Sequence, residues 1–283
     1  GCNDLVRIAP AQAVGLDPRS DDVEVALRSG DSVRTLRTRL LVGADGTPSF
    51  VRGALGIEAL RHDYAQAAFV TTVTTEKALE GRAYERFTDT GPVALLPLGD
   101  RRAGLVLTVP AERADEVAAL DDAAFIAFVH ERFGYRAGRL SRPGRRKPYP
   151  LARLLAERTI AARSVLVGNA AQTVHPIGAQ GFNLGLRDAL TLAELLREAA
   201  TMHADPGDAA LLARYVERRA EDRAATTSFS DDLVRTMASD ALPIRGMRSL
   251  AFHALDRITP IKRRFALRGM GYRGDVPTSS LSR

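Results

Sequence analysis

The chain has 283 residues, 45% of them hydrophobic, which is enough for a sizeable core in one large domain or two ordinary ones and argues against general disorder. Forty Lys and Arg against 34 Asp and Glu leave a modest net charge of +6, which fits an enzyme that holds an anionic cofactor or meets a membrane surface. Aromatic residues are few and never interleaved with basic ones in a recognition motif, which argues against a nucleic-acid partner. A single cysteine (Cys2) and scattered histidines exclude an internal disulfide, argue against a zinc site and suit a reducing, cytoplasmic compartment.

Val23 to Leu27 alternates apolar and charged residues, as a half-buried strand does. The turn sequence Ser29-Gly30-Asp31-Ser32 follows, and the stretch from Val33 onward reads as the return strand of a hairpin. From Leu40 to Val42 that strand becomes continuously apolar, as if entering a covered sheet. Thr47 and Pro48 then open a short helix, with Thr47 as N-cap and Pro48 in the first helical position.

Between Tyr64 and Pro110, short β-rich runs separated by turns predict an antiparallel sheet. Glu112 to Phe133 is helical, with Phe125, Phe128 and Val129 at helical spacing. Three prolines (Pro143, Pro148 and Pro150) keep Ser141 to Leu151 extended. A buried-strand signature returns at Ser164 to Val167, and a helix follows from about Phe182 to Ala199. Its apolar face is expected to carry Leu186, Ala189, Leu190, Ala193 and Leu196. A second, heavily charged helix spans about Asp208 to Thr236, and the tail from Ile244 to Arg273 mixes basic and apolar residues.

The loop between that buried strand and its helix carries the chemistry. It holds Pro176, Gly178, Gly181 and Gly185, and no Lys or Arg before Arg187. Bare backbone at a helix start offers unpaired N–H groups and a weak partial positive charge. A phosphate site would ordinarily add a basic side chain. The N–H groups of Gly181, Phe182 and Asn183 suit instead a flat, largely neutral group that becomes anionic in turnover, such as the pyrimidine end of a reduced flavin. A tight strand-to-helix turn with no ligand is the alternative at this level. Asp45 and Gly46 end the earlier apolar strand, where α/β sheets bind ligands, and Arg52 lies where it would meet a phosphate or carboxylate. Ordinary turn and cap roles for Asp45 and Thr47 compete with that reading.

Taken together, "GADGTPSFVR" (Gly43 to Arg52) and "GNAAQTVHPIGAQGFNLGLRDA" (Gly168 to Ala189) resemble the two flavin motifs of the aromatic flavoprotein monooxygenases, the p-hydroxybenzoate-hydroxylase-like family. "GNAAQT", "HPI", "GFNLGLRD", "ERFTDTGPVALLPL" and "YPLA" are similar to its branch of 2-polyprenyl-6-methoxyphenol hydroxylases of ubiquinone biosynthesis. The resemblance implies that Asp45, Gly46 and Arg52 sit at the FAD pyrophosphate, with a share in pyridine-nucleotide binding. It places Gly168 and Asn169 at the ribityl chain, and Pro176, Gly178, Gln180, Gly181, Phe182 and Asn183 around the isoalloxazine ring. Two departures stand out: Asn169 replaces the usual Asp and Gln172 the usual His, which removes a negative charge but keeps a hydrogen-bond acceptor at position 169.

The implied fold is α/β: a Rossmann-like FAD-binding domain in two pieces (1–60 and 151–205), an inserted antiparallel-sheet substrate domain (61–150) and a C-terminal helical region (206–283). The N-terminal βαβ unit with its GxGxxG turn is missing, so about 100 further residues are expected before Gly1, and this chain alone should bind FAD weakly. The implied activity is hydroxylation of a polyprenylated phenol, a ubiquinone precursor, with FAD, NAD(P)H and dioxygen. Alternatives are another ring position or aromatic substrate, or a non-catalytic scaffold in a quinone-biosynthesis complex. His175 is a candidate base beside the flavin loop, with a structural hydrogen bond as the competing role. The basic tail suggests peripheral contact with the inner membrane.

Overall fold

The computed structural model describes residues 5–177, 180–238 and 257–269. No helix among them is long and apolar enough to cross a membrane. The chain groups into two units: one combines described parts of 1–61, 154–228 and 266–283, the other 62–153 and 229–265.

The first unit opens with an antiparallel meander of β1 (Gln12–Pro18), β2 (Val23–Ser29) and β3 (Ser32–Thr38). Ser29 pairs with Ser32, which leaves Gly30 and Asp31 as a two-residue hairpin loop, and Gly30 takes the positive φ of +60° that such a loop needs. The return strand does not run on into the covered sheet, as the sequence suggested. It ends at Thr38, whose hydroxyl donates to the Leu40 carbonyl, and β4 (Leu41–Gly43) belongs to a different sheet. The next helix, α1 (Phe50–Ala54), is capped by Ser49 and not by Thr47. Ser49 Oγ accepts from the Arg52 N–H at 2.9 Å, and Pro48 lies before the cap.

In the second unit, β5 (Ala59–Thr75), β6 (Tyr84–Thr88), β7 (Gly91–Gly99) and β8 (Arg102–Pro110) form the expected antiparallel sheet, in the order β5-β8-β7-β6. One face packs on α2 (Ala114–Ala119) and α3 (Asp122–Phe133): Phe69, Leu95, Leu105 and Leu107 meet Val117, Phe125 and Val129 in a continuous core. Alternation along each strand sets that face. β9 (Leu140–Ser141) adds to the end of β5, and β10 (Pro148–Ala156) returns the chain to the first unit.

There, β11 (Ile160–Ala161) leads into β12 (Ser164–Leu166), which runs parallel to β4 with Val165 opposite Val42 and Leu166 opposite Gly43. β12 is buried on both sides, which is why it reads as a continuous apolar run. Val165 and Val167 face a cluster with Leu192, Leu195, Leu212 and Tyr215, whereas Leu166 faces Val51, Ile57 and Ala170. Gly43 is required here, because a Cβ on it would lie 2.7 Å from Leu166 and 2.8 Å from Val51.

After β13 (Gln172–Thr173) come α4 (Gln180–Thr201) and α5 (Ala209–Ala238). α6 (Thr259–Gly269) is the last described helix. The buried face of α4 is not the one expected from its leucines and alanines. Leu184, Arg187, Asp188, Thr191, Leu192 and Leu195 point inward, while Leu186, Ala189 and Ala193 are exposed. The inward face reads as polar because its charges neutralise one another inside the fold.

Candidate functional site

Because β4 and β12 are parallel neighbours in register, their carboxyl ends lie side by side. Asp45 and Gly46 follow one strand, Gly168 and Asn169 the other. Ligands bind at such paired strand ends in α/β sheets. Asp45 is exposed, yet its carboxylate is employed: it accepts from Ser49 Oγ at 2.5 Å and from the Val51 N–H at 3.0 Å, and so satisfies orphan donors at the start of α1. Gly46 has φ +84° with open space where a Cβ would be. Arg52 donates from Nη1 to the Ala170 carbonyl and from Nη2 to the Thr47 carbonyl, both at 2.9 Å. A hydroxyl–hydroxyl bond of 2.9 Å between Thr47 and Thr173 adds a second tie. Arg52 thus locks the two loops against each other.

The second loop begins with a 3-10 turn, Gly168–Ala170. Gly168 has φ +59°, and a Cβ on Gly185 would stand 3.1 Å from its Cα, so loop and helix touch backbone to backbone. Asn169 and Pro176 are exposed. Gly178 lies outside the described residues. Gln180, the first residue of α4, is buried, Gly181 and Asn183 are half-buried, and Phe182 is 79% exposed. The N–H groups from Gln180 to Asn183 precede any acceptor within the helix. A 79% exposed phenylalanine beside them is a large apolar surface that no described residue of this unit covers.

His175 is 1% exposed, and its Nδ1 accepts the Ile177 N–H at 3.1 Å, so its proton sits on Nε2. Burial pulls its pKa from the ordinary 6.5 down to about 4. Between those values the unfolded chain binds a proton that the folded chain refuses, so stability rises with pH across this window. The contribution is complete above pH 6.5 and falls by about 3 kcal/mol as pH drops to 4. His175→Asn keeps an acceptor for Ile177 and has no group titrating there. Urea unfolding from pH 4 to 7 should therefore show a shallower acid loss in the variant, and equal slopes would refute the assignment.

Sequence reasoning missed the buried ionic framework beneath this loop. Asp188 Oδ2 accepts from the Gly168 N–H at 3.1 Å and from Gln172 Nε2 at 2.6 Å, and its Oδ1 accepts from Arg219 Nε at 2.7 Å. Arg219 also meets Asp222 at 2.7 Å, and Asp222 takes a two-pronged bond from Arg187, at 2.6 and 3.1 Å. All four charged side chains are buried. Burial would raise the Asp222 carboxyl, but Arg187 and Arg219 hold it below the usual carboxylate range. The available signal was the spacing of Arg187 and Asp188 against Arg219 and Asp222 on two successive helices. Gln172 acts here as a neutral donor to Asp188, a task that needs no titratable group.

The family described as "FAD binding domain" matches residues 9–230. The chain belongs to the FAD-binding-domain family. Among curated members of comparable sequence, it is 39% identical over 264 residues to the "Ubiquinone hydroxylase UbiL" of Rhodospirillum rubrum, which covers 93% of this chain and 61% of that protein. It is 32% identical over 254 residues to the "3-demethoxyubiquinol 3-hydroxylase" of Escherichia coli, covering 90% of this chain and 64% of that one. The chain thus spans about three fifths of the length of these relatives. Among solved structures, p-nitrophenol 4-monooxygenase PnpA from Pseudomonas putida shares the fold with a TM-score of 0.75 at 20% identity, over 93% of this chain and 67% of that one. PqsL of P. aeruginosa, solved with 2-aminobenzoylacetate, is 28% identical with a TM-score of 0.67, over 81% of this chain and 64% of that one.

The residues present fit the family's cofactor. At the helix start Gly181 and Asn183 are half-buried and Phe182 is exposed, the Gly168 turn touches the helix backbone to backbone, and Asn169 offers an exposed amide beyond the end of β12. The side chains that rigidify the loop, Arg52, Asp188 and Gln172, bond to protein groups from behind it.

Proposed function

We propose that the complete protein is an FAD-dependent hydroxylase acting on the phenol ring of a polyprenylated quinone precursor. The reading rests on the half-buried start of α4, with Phe182 exposed on it, beside the paired ends of β4 and β12. Asp45 and Gly46 would meet the pyrophosphate, with Arg52 bracing the two loops around it. Asn169 would meet the ribityl chain, and Pro176 and Gln180 to Asn183 the ring system. The N–H groups of the first α4 turn would stabilise negative charge on its pyrimidine edge. The bound flavin supplies electron relay from NAD(P)H to dioxygen and transfer of one oxygen atom. In balance, a ring C–H becomes C–OH, the second oxygen atom leaves as water, and NAD(P)H with one proton supplies two electrons. His175 is neutral and buried, and we assign it a positioning role for the Pro176–Ile177 turn.

The second unit supports an apolar substrate. The outer face of its sheet carries Val70 on β5 and Leu96 and Leu98 on β7, all exposed. A solvated antiparallel sheet would alternate to polar residues there. A polyprenyl tail is an occupant of the right chemistry for this face and for the neighbouring Phe87 and Pro92. Peripheral membrane contact is a companion proposal. The tail Ile244 to Arg273 lies largely outside the described residues, but α6 and its flank combine exposed Ile258 and Ile261 with Lys262 and Arg263. Co-sedimentation with anionic vesicles that weakens at high salt would support it, and no sedimentation at either salt would end it.

The full-length protein should purify yellow, or become so with added FAD. It should convert a prenylated phenol to a product one oxygen heavier, in strict dependence on NAD(P)H. A protein that never takes up FAD would overturn the reading in favour of a scaffold. A coloured protein that oxidises other phenols but no prenylated one would move it to another branch of the family.

A further inference from the structure

The first unit holds a cleft of about 470 Å³ lined by one face of α5, by Leu60, Leu155 and Ala156 from β5 and β10, and by Gln172 and Asp188. None of the residues assigned above to the flavin lines it. Its volume is in the range of small-molecule sites.

The arginines along α5 are not equivalent. Arg219 lies between Asp188 and Asp222. Arg223, one turn further on, lines the cleft and donates from Nη2 to the carbonyls of Ala156 and Ala171 at 2.6 and 3.3 Å. Among the described residues it meets no carboxylate, and its Nε and Nη1 hydrogens have no protein acceptor. Burial pulls this guanidinium below the usual arginine range. Asp188 acts on it electrostatically but is bonded to Arg219, so Arg187, Arg219 and Arg223 against Asp188 and Asp222 leave one positive charge over, which favours an anion in the cleft.

Leu60, Leu155 and Val216 give the cleft an apolar wall, and Glu157, Thr159 and Ser228 also line it. Two of its hydroxyls are engaged, Thr227 donating to the Arg223 and Ala224 carbonyls and Tyr215 to the Leu166 carbonyl. One surplus cation, with Asp188 and Glu157 also in the lining, does not suit a phosphate, which carries more negative charge and gathers several donors. A sugar would find too few polar partners.

The geometry points to a second ligand site, in which the cleft takes a small organic carboxylate, its charged end on Arg223 and its apolar body against Leu60, Leu155 and Val216. This inference stands apart from the flavin reading, because a flavin-free protein would keep the same cleft.

The test uses 2-naphthoate, a fluorescent flat carboxylate, titrated into the full-length protein saturated with FAD. The neutral amide 2-naphthamide serves as the control. Saturable one-to-one binding of the acid is expected, with the amide at least about tenfold weaker. Arg223→Gln should weaken the acid by tenfold or more and bring acid and amide close together. Leu60→Trp should also weaken it, by filling the cleft; because Leu60 is 65% exposed, this variant folds even if Arg223→Gln does not. Absence of saturable binding, or binding unchanged in both variants, would overturn the proposal. The second outcome would place the probe elsewhere on the protein.

Discussion

Asp188→Leu should destabilise the folded chain by about 3–5 kcal/mol, the cost of breaking one side of a buried ion pair. Three donors converge on this carboxylate: the Gly168 N–H, Gln172 Nε2 and Arg219 Nε. Removing it leaves Arg219 buried with Asp222 as its remaining counter-ion, already shared with Arg187. The loss should be far from additive. Desolvating charges nearly cancels their attraction, so Asp188→Leu combined with Arg219→Met should recover much of the single-variant loss. Urea unfolding of the two single variants and the double variant checks this. Costs that simply sum would show that Asp188 and Arg219 act separately. The carboxylate also holds Gly168 in its left-handed conformation, so the single variant should loosen the loop before the fold as a whole unfolds.

What was legible in the sequence followed from solvent exposure and backbone freedom. β12 is covered on both faces, so Val165 to Val167 could be apolar without alternation, and that run announces a central strand. Gly168, Gly181 and Gly185 betray backbone contact, and the structure shows that contact between Gly168 and Gly185. What was not legible depended on partners distant along the chain. The inward face of α4 carries Arg187 and Asp188, which a periodicity argument assigns to water. They lie inside because Asp222 and Arg219, more than 30 residues later, neutralise them. The cap of α1 was misplaced for a similar reason. Thr47 and Ser49 are both competent caps, but the Thr47 hydroxyl is engaged with Thr173 across the site, which leaves Ser49 to accept from Arg52. Asp45 and Arg52 were legible as important but not as braces, because their bonds to Ser49, Val51, Thr47 and Ala170 exist once two separate strand ends are adjacent.

Gly185→Val should act on the same contact from the helix side, and it distinguishes a cofactor cradle from a mere turn. A Cβ at this position meets the Gly168 Cα at 3.1 Å, and that atom cannot retreat. Gly168 is pinned by its N–H bond to Asp188, by the Ala171 N–H bonded to its carbonyl, and by β12 in register with β4. The branched side chain should therefore displace the start of α4, at a cost of about 1–3 kcal/mol for overpacking. If the start of α4 and the Gly168 loop form one cradle, FAD affinity of the full-length protein should fall by at least about tenfold, since amides aimed at a ligand lose their worth when misplaced by a fraction of an ångström. Gly53→Ala is the matched control. Its Cβ would meet nothing within 4 Å, and it lies inside α1, so it should leave FAD affinity unchanged and stabilise by a few tenths to about 1 kcal/mol. Should Gly185→Val destabilise as expected yet bind FAD like the parent, the contact would be one of packing alone, and the cofactor would have to be held by other parts of the protein.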